Sequence, residues 1–365
     1  MNILYTIDKN YIDIMLASIY SLVQNSDFDD IIFHIVTLNF NSEDFDRVKR
    51  LLECFKNVNV NFYKLEDYPI DEFNIPSWRG SQIANARLIF PNIINDLYSI
   101  DNLLYIDSDT IIRNDISDIV EYSNSAVSAC KEDSTLKSYY IDKLSLDKYF
   151  NSGVIYFNLD KWGKLDVEYR LKDIMNCNNL DITYPDQDLF NIMFSNDISI
   201  MPNRYNISVY PFLFNNIERK LFYNPKYRQM GYDEIMNEKN RARILHSYGL
   251  FNIKPWCNTD INPFSEEFMM YMRDFNKSYT KKELSTLKKI ITTSPILFKM
   301  LIISRTYLPA SIEEKNRKLS LKLQKARKNK VINWLLYFFI IKYIWWFYER
   351  DRNSRFRIWF NLWFY

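Results

Sequence analysis

The sequence predicts an α/β protein: a mixed, mostly parallel sheet with helices on its faces, extended at the C-terminus by a helical region rich in basic and aromatic residues. Three observations lead there. Over the first 130 residues, short apolar runs alternate with helical patterns, and that alternation builds parallel sheets covered by crossover helices. The apolar run Leu103–Ile106 ends abruptly in Asp107-Ser108-Asp109, and ligands of such sheets bind beyond the carboxyl ends of the strands. Charge is also divided: residues 281–365 hold nineteen Lys or Arg against five Asp or Glu. Within an overall net charge of +2, that leaves an acidic body of −12 joined to a tail of +14.

The elements follow in order. The chain opens directly on a strand at 2–7, with no basic stretch or long apolar run of a secretory leader before it. Further strands are expected at 31–38, 58–63, 102–107 and 126–130, with helices near 11–24, 42–56 and 80–97. Ser42, Glu43 and Asp44 mark a helix start. Ser152–Asn158 reads as a strand, 159–177 as a helix, 186–195 as a short helix after Pro185, and Arg243–His246 as a strand ending in a histidine. From 263 onward the pattern is mainly helical. The expected division is a catalytic domain at 1–262 and a helical region at 263–365, of which 281–365 is a membrane-associating tail.

Composition narrows the function. Apolar residues make up 47% of the chain, an ordinary globular share. Only five glycines are present and none forms a phosphate-cradling loop, so P-loop and dinucleotide-binding folds lose their main support. Cys54, Cys130, Cys177 and Cys257 lie too far apart for a metal-binding pattern and read as reduced cysteines of a cytoplasmic protein.

Asp107 and Asp109 stand one residue apart, so an extended backbone points both carboxylates to one side. Adjacent carboxylates repel unless a cation lies between them. Oxygen ligands suit Mg²⁺ or Mn²⁺, and a carboxylate-held metal with open positions grips a nucleotide diphosphate. On its own an Asp-x-Asp pair also occurs in ordinary exposed turns.

Five further segments, in order, turn that pair into a recognisable series: Thr6-Ile7-Asp8-Lys9-Asn10-Tyr11, Ala84-Asn85-Ala86-Arg87-Leu88, Phe150-Asn151-Ser152-Gly153, Pro185-Asp186-Gln187-Asp188, and His246-Ser247-Tyr248-Gly249 with Lys254-Pro255-Trp256. Over roughly residues 1–260 the chain resembles glycosyltransferase family 8, retaining enzymes of GT-A fold that use a UDP-sugar and Mn²⁺. The resemblance implies that Asp8 accepts the uracil N–H, with Asn10 and Tyr11 nearby. Arg87 would sit over the donor sugar and diphosphate, and the Asn151 amide would contact the sugar. Gly153 would let backbone approach the ligand, and Gly249 belongs to the donor-binding set. Asp107, Asp109 and His246 would be the metal ligands, with Lys254 on the diphosphate. Four residues separate Gly249 from Lys254, where the family usually has two. Asp186 would bond sugar hydroxyls and Asp188 would organise the same wall. Gln187 would face the anomeric carbon and stabilise an oxocarbenium-like transition state. His34, the other histidine, lies inside an apolar strand and reads as structural.

The implied activity is transfer of a galactose or glucose from a UDP-hexose to an oligosaccharide or glycolipid acceptor of a cell-surface glycan. The alternative is a non-catalytic module of the same fold that holds a nucleotide sugar or glycan. In the tail, residues 331–348 are apolar or aromatic at 16 of 18 positions. As a helix they would run roughly 27 Å, just short of a bilayer core. Basic clusters flank that run on both sides, Lys315 to Lys330 before it and Arg350 to Arg357 after it. A span would carry one of them across, against the positive-inside tendency. An anchor lying on the anionic inner face of the membrane is therefore expected over a span. So much bulky apolar surface argues against nucleic acid as the partner.

Overall fold

The structure is a computed structural model. It describes residues 1–77, 80–133, 141, 144–176, 182–195, 197–223, 230–249, 253–276, 279–285, 288–289 and 292–306; the 331–348 run lies outside the described residues.

A seven-stranded mixed sheet forms the centre. Its strands are β1 (Asn2–Asp8), β2 (Ile31–Leu38), β3 (Val58–Lys64), β4 (Asn102–Ile106), β6 (Val127–Lys131), β7 (Phe150–Asn158) and β8 (Ile198–Met201), in the order β3-β2-β1-β4-β7-β6-β8. β1, β2, β3 and β4 run parallel, β7 is antiparallel to both β4 and β6, and β8 is parallel to β6. Separately, β5 (Thr110–Ile112) and β9 (Ile244–His246) form a short antiparallel ladder. The central strands are buried on both faces, which is why β4 and the Val154–Phe157 stretch of β7 read as apolar runs.

Two cores flank the sheet. One packs α1 (Ile12–Asn25) and the C-terminal helices against β1 and β2, and the other packs α2 (Phe90–Tyr98) and the helix Pro185–Phe194 on the opposite face. The helix expected over 80–97 is divided: Ile83–Leu88 winds as a 3₁₀ segment before α2 begins at Phe90 with Pro91 in its first turn, a position that favours a helix start. The helix expected over 159–177 is also two, Leu159–Trp162 and Val167–Asn176, with Asp166 between them at positive φ.

The helices at Ser265–Phe275 and Pro295–Thr306 lie outside the sheet but contribute to the first core. Phe268, Met272, Phe298 and Ile303 are fully buried there. Arg113 pairs with Glu267 through both its Nε and Nη2, Asn25 donates to the Tyr271 hydroxyl, and Lys299 pairs with the buried Glu218 at 3.1 Å. Among the described residues, no helix is long and apolar enough to cross a membrane.

Candidate active site

The site forms where β1, β4 and β7 meet. β1 and β4 are parallel neighbours, so Asp8 and Asp107 emerge at the same end of the sheet. The turn after β4 is pinned from below: the Thr110 hydroxyl donates to the Asp107 carbonyl at 2.8 Å and also contacts the Ser18 hydroxyl of α1. The β5–β9 ladder then sets Thr110 opposite His246, and the Ser247 N–H donates to the Asp109 carbonyl at 2.9 Å. A strand of three residues thus carries a histidine across 137 positions of sequence to the carboxylate pair.

His246 Nε2 lies 3.2 Å from Asp109 Oδ1 and 3.5 Å from Asp107 Oδ2. One ligand atom from each of the three residues falls within 4.8 Å of the others. The other ring nitrogen, Nδ1, is occupied at 2.8 Å by Asn206 Oδ1, a carbonyl that can only accept. Nδ1 therefore donates to Asn206, and Nε2 is the nitrogen that faces the two carboxylate oxygens. Two carboxylates with one imidazole nitrogen are a donor set that could hold Mn²⁺ or Mg²⁺. Gly153 makes the space. Its N–H donates to Asn151, its carbonyl accepts from the Asp107 N–H at 2.7 Å, and a Cβ there would collide with the His246 ring.

Two cations complete the carboxylate cluster. Arg87 is buried and spans the site: Nη2 pairs with Asp107 Oδ1 at 3.0 Å, Nε approaches Asp186 Oδ2 at 3.4 Å, and Nη1 donates to the Ser152 carbonyl at 2.7 Å. Its guanidinium carbon stands 4.4 Å over the Tyr105 ring, whose hydroxyl donates to Asp107 at 2.5 Å. Burial works against the Arg87 charge, but Asp107, Tyr105 and Asp186 outweigh it and raise its pKa. Lys254 pairs with Asp109 and donates to the Ser247 carbonyl at 2.7 Å, so the longer loop after Gly249 still delivers it to the carboxylate pair. Burial alone would raise the Asp109 pKa; Lys254 and His246 hold it well below the ordinary carboxylate range.

The helix Pro185–Phe194 supplies the opposite wall. Its Asn191 is bolted to β7, accepting from the Phe150 N–H at 2.6 Å and donating to the Phe150 carbonyl at 2.9 Å. Gln187 Nε2 donates to Glu132 Oε2 at 3.3 Å, and its Oε1 accepts from the Ser152 N–H at 3.3 Å. Asp186 accepts from the Ser152 hydroxyl. Asp188 is fully buried, taking the N–H groups of Thr183 and Tyr184 and the Tyr149 hydroxyl, so it braces the start of the helix. Asn151 is buried, donating to Glu132 at 2.8 Å.

Asp8 Oδ1 accepts from the Asn10 N–H at 2.7 Å, holding the turn after β1, and Asn10 is exposed. Tyr11 meets Trp256 edge-on at 5.9 Å, joining that turn to the segment carrying Lys254. Gly249 has φ +83°, a left-handed conformation that suits glycine, and it packs against Tyr210. His34 lies apart from all of this, between Tyr63 and Asn2, as its place in an apolar strand suggested.

The Glycosyl transferase family 8 sequence model matches residues 2–260. The chain belongs to that family. Among family 8 relatives, it is 27% identical to a lipopolysaccharide 1,2-glucosyltransferase of Escherichia coli K12, over 72% of this chain and 75% of that one. It is 26% identical to general stress protein A of Bacillus subtilis, over 77% and 94% of the two chains. Its fold matches the solved galactosyltransferase LgtC, in complex with donor and acceptor sugar analogues, with TM-score 0.59 and 21% identity over 75% of this chain and 96% of that one. It also matches the bifunctional glycosyltransferase WbbM with TM-score 0.60 and 19% identity, covering 76% of this chain but 51% of the larger one. The fold is GT-A, as expected. Glu132, Asn191 and Asn206 escaped the sequence reading, and Ser152 stood in it only as part of its motif, without a role.

Proposed function

We propose that this family 8 glycosyltransferase moves a galactose or glucose from a UDP-hexose to an oligosaccharide or glycolipid acceptor of a cell-surface glycan, with retention and in dependence on Mn²⁺ or Mg²⁺. The observation that carries this reading is the Asp107–Asp109–His246 cluster beside Arg87, Lys254 and Gln187. The lipopolysaccharide 1,2-glucosyltransferase of Escherichia coli, and a lipopolysaccharide 1,3-galactosyltransferase of Salmonella typhimurium to which the chain is 24% identical, support the hexose and the glycan acceptor.

Asp107, Asp109 and His246 would hold the metal, which supplies positive charge against the charge developing on the diphosphate. Arg87 and Lys254 add fixed positive charge on the same side. Asp186, held by Arg87 and the Ser152 hydroxyl, would take donor sugar hydroxyls. The Gln187 amide, turned by Glu132, would present its oxygen toward an oxocarbenium-like sugar. The departing phosphate oxygen would accept the acceptor's proton on the face it leaves, which gives retention without a strong side-chain nucleophile. Asp8 would read the uracil N–H beside Asn10 and Tyr11, and the Asn151 amide would lie against the sugar.

The basic, aromatic tail would hold the enzyme on the anionic inner face of the membrane. Incubation with UDP-glucose and UDP-galactose tests the central reading. UDP release that requires Mn²⁺ or Mg²⁺ and stops with EDTA is expected. No metal-dependent release from any UDP-hexose would overturn it.

A further inference from the structure

Two buried amides and one backbone N–H connect the candidate metal ligand His246 to the interior, and the direction of that chain is fixed. It begins at Gly153, whose N–H donates to Asn151 Oδ1 at 2.9 Å. A backbone N–H can only donate, so the oxygen of Asn151 faces it and its nitrogen faces Glu132, to which it donates at 2.8 Å. The same Asn151 oxygen also accepts from Asn206 Nδ2 at 2.9 Å. Asn206 must then present its oxygen to His246 Nδ1, at 2.8 Å. Each step leaves one choice for the next. Asn206 is 1% exposed and Asn151 3%, so water does not compete for these groups.

The backbone holds Asn206 in place as well. The Ile207 N–H donates to the Ile244 carbonyl, and the His246 N–H donates to the Ile207 carbonyl at 2.9 Å. Residue 207 is thereby bridged to the strand that ends in His246.

We propose that Asn206 is a positioning residue for the metal. It keeps the proton of His246 on Nδ1, so that Nε2 faces Asp107 and Asp109 as a ligand. The proposal rests on the reading of those three residues as the metal site. Hydrogen bonding to the remote nitrogen of a ligating imidazole fixes its tautomer and ring orientation, and losing such a partner costs roughly 10–100-fold in metal affinity. The amide at 206 lets one side chain accept from His246, the bond that holds the tautomer, and also donate to Asn151. A leucine does neither, and an aspartate only the first.

Mn²⁺ affinity in the presence of UDP, read from the paramagnetic resonance signal of free Mn²⁺, tests this in the full chain. Asn206→Leu is expected to weaken Mn²⁺ binding about 10–100-fold, with UDP binding in the absence of metal unchanged. Asn206→Asp keeps the acceptor for Nδ1–H and is expected to bind Mn²⁺ at least as well as the unmodified protein. Equal loss in both variants, or wild-type affinity in Asn206→Leu, overturns the proposal. His246→Ala separates it from the reading beneath: if that variant keeps wild-type Mn²⁺ affinity, the metal site itself is wrong. If His246→Ala loses Mn²⁺ while Asn206→Leu does not, only the role of Asn206 fails. A second readout does not depend on variants that fold. The chain has two histidines, so ring ¹⁵N spectra of the unmodified protein are simple to assign. Nδ1 of His246 should carry a proton; an unprotonated Nδ1 overturns the proposal.

Discussion

Gly153→Ala tests the geometry of the candidate metal site more directly than removal of a ligand, because it alters no charge and no donor atom. The backbone of Gly153 lies outside the left-handed region, so alanine meets no conformational penalty there and any effect is steric. A Cβ at this position would overlap His246 Cε1 and stand 2.7 Å from Nδ1 and 2.8 Å from Asp107 Oδ2. Carbon contacts are comfortable at roughly 3.5–4.0 Å, so the ring and the carboxylate must each retreat by about 1 Å. The ring cannot do so freely: His246 is 3% exposed and its Nδ1 is held by Asn206. Forcing extra atoms into such a place costs about 1–3 kcal/mol of stability, and metal ligands tolerate displacement of only about 0.2 Å. Loss of one well-placed ligand should weaken Mn²⁺ binding by at least about tenfold, as disturbance of a ligand's supporting partners does. The assay is Mn²⁺ titration with UDP present, alongside a thermal melt to separate metal loss from unfolding. A folded Gly153→Ala protein with unchanged Mn²⁺ affinity and turnover would refute the assignment of this cluster as the metal site.

Four other outcomes are expected. Gln187→Ala should lower kcat on the order of 10²-fold while changing donor KM little, since its proposed role lies in the transition state; NMR of the product should show an α linkage, and a β linkage would contradict the mechanism. Asp8→Ala should weaken UDP about ten- to a hundredfold, the worth of a hydrogen bond to a charged group, and erase the preference for UDP over GDP and CMP in calorimetry. His34 is buried and neutral, its pKa lowered by burial from 6.5 to about 4. The unfolded chain therefore takes up that proton first as pH falls, so this contribution is intact above about pH 6.5 and is lost toward pH 4. It amounts to about 2 kcal/mol by pH 5, and urea midpoints should show that loss shrinking in His34→Gln. Truncation after residue 306 should leave a folded enzyme released from anionic vesicles. Truncation after 280 strips out Phe298, Met300 and Ile303, each worth about 1.5–3 kcal/mol when buried against a total margin of about 5–15, and should unfold or aggregate.

The sequence made the fold legible wherever an apolar period was long. The strands at 2–8, 31–38 and 58–64 agree with their expected limits within a residue because alternation with helices leaves few other arrangements. It said nothing of β5, which is three residues long and follows β4 after a turn of three. A ladder this short has no periodicity of its own and exists only because β9 pairs with it. Yet it is the element that brings His246 to Asp107 and Asp109. The histidine could be nominated from its strand-end position and its place in the ordered series, but the means of delivery could not.

Charged and uncharged site residues also differ in how visible they were. Asp107 and Asp109 stand out because a carboxylate pair at a strand end demands explanation, whereas Arg87 and Lys254 were nominated by the ordered family motifs that hold them. Asn206 and Asn191 are two asparagines in a chain rich in them, and an asparagine read alone suggests a turn. Their work becomes visible only when donors and acceptors can be followed from one residue to the next. Glu132 was hidden for a different reason. It follows β6 without any motif, and its importance arises from what it receives: the amides of Asn151 and Gln187 converge on the same oxygen. Because Asn151 also receives the amide of Asn206, one carboxylate steadies the nitrogen that would bind metal and the glutamine that would face the sugar. Disturbing Glu132 should therefore affect metal affinity and turnover together, whereas Gln187→Ala, at the far end of the network from His246, should affect turnover alone.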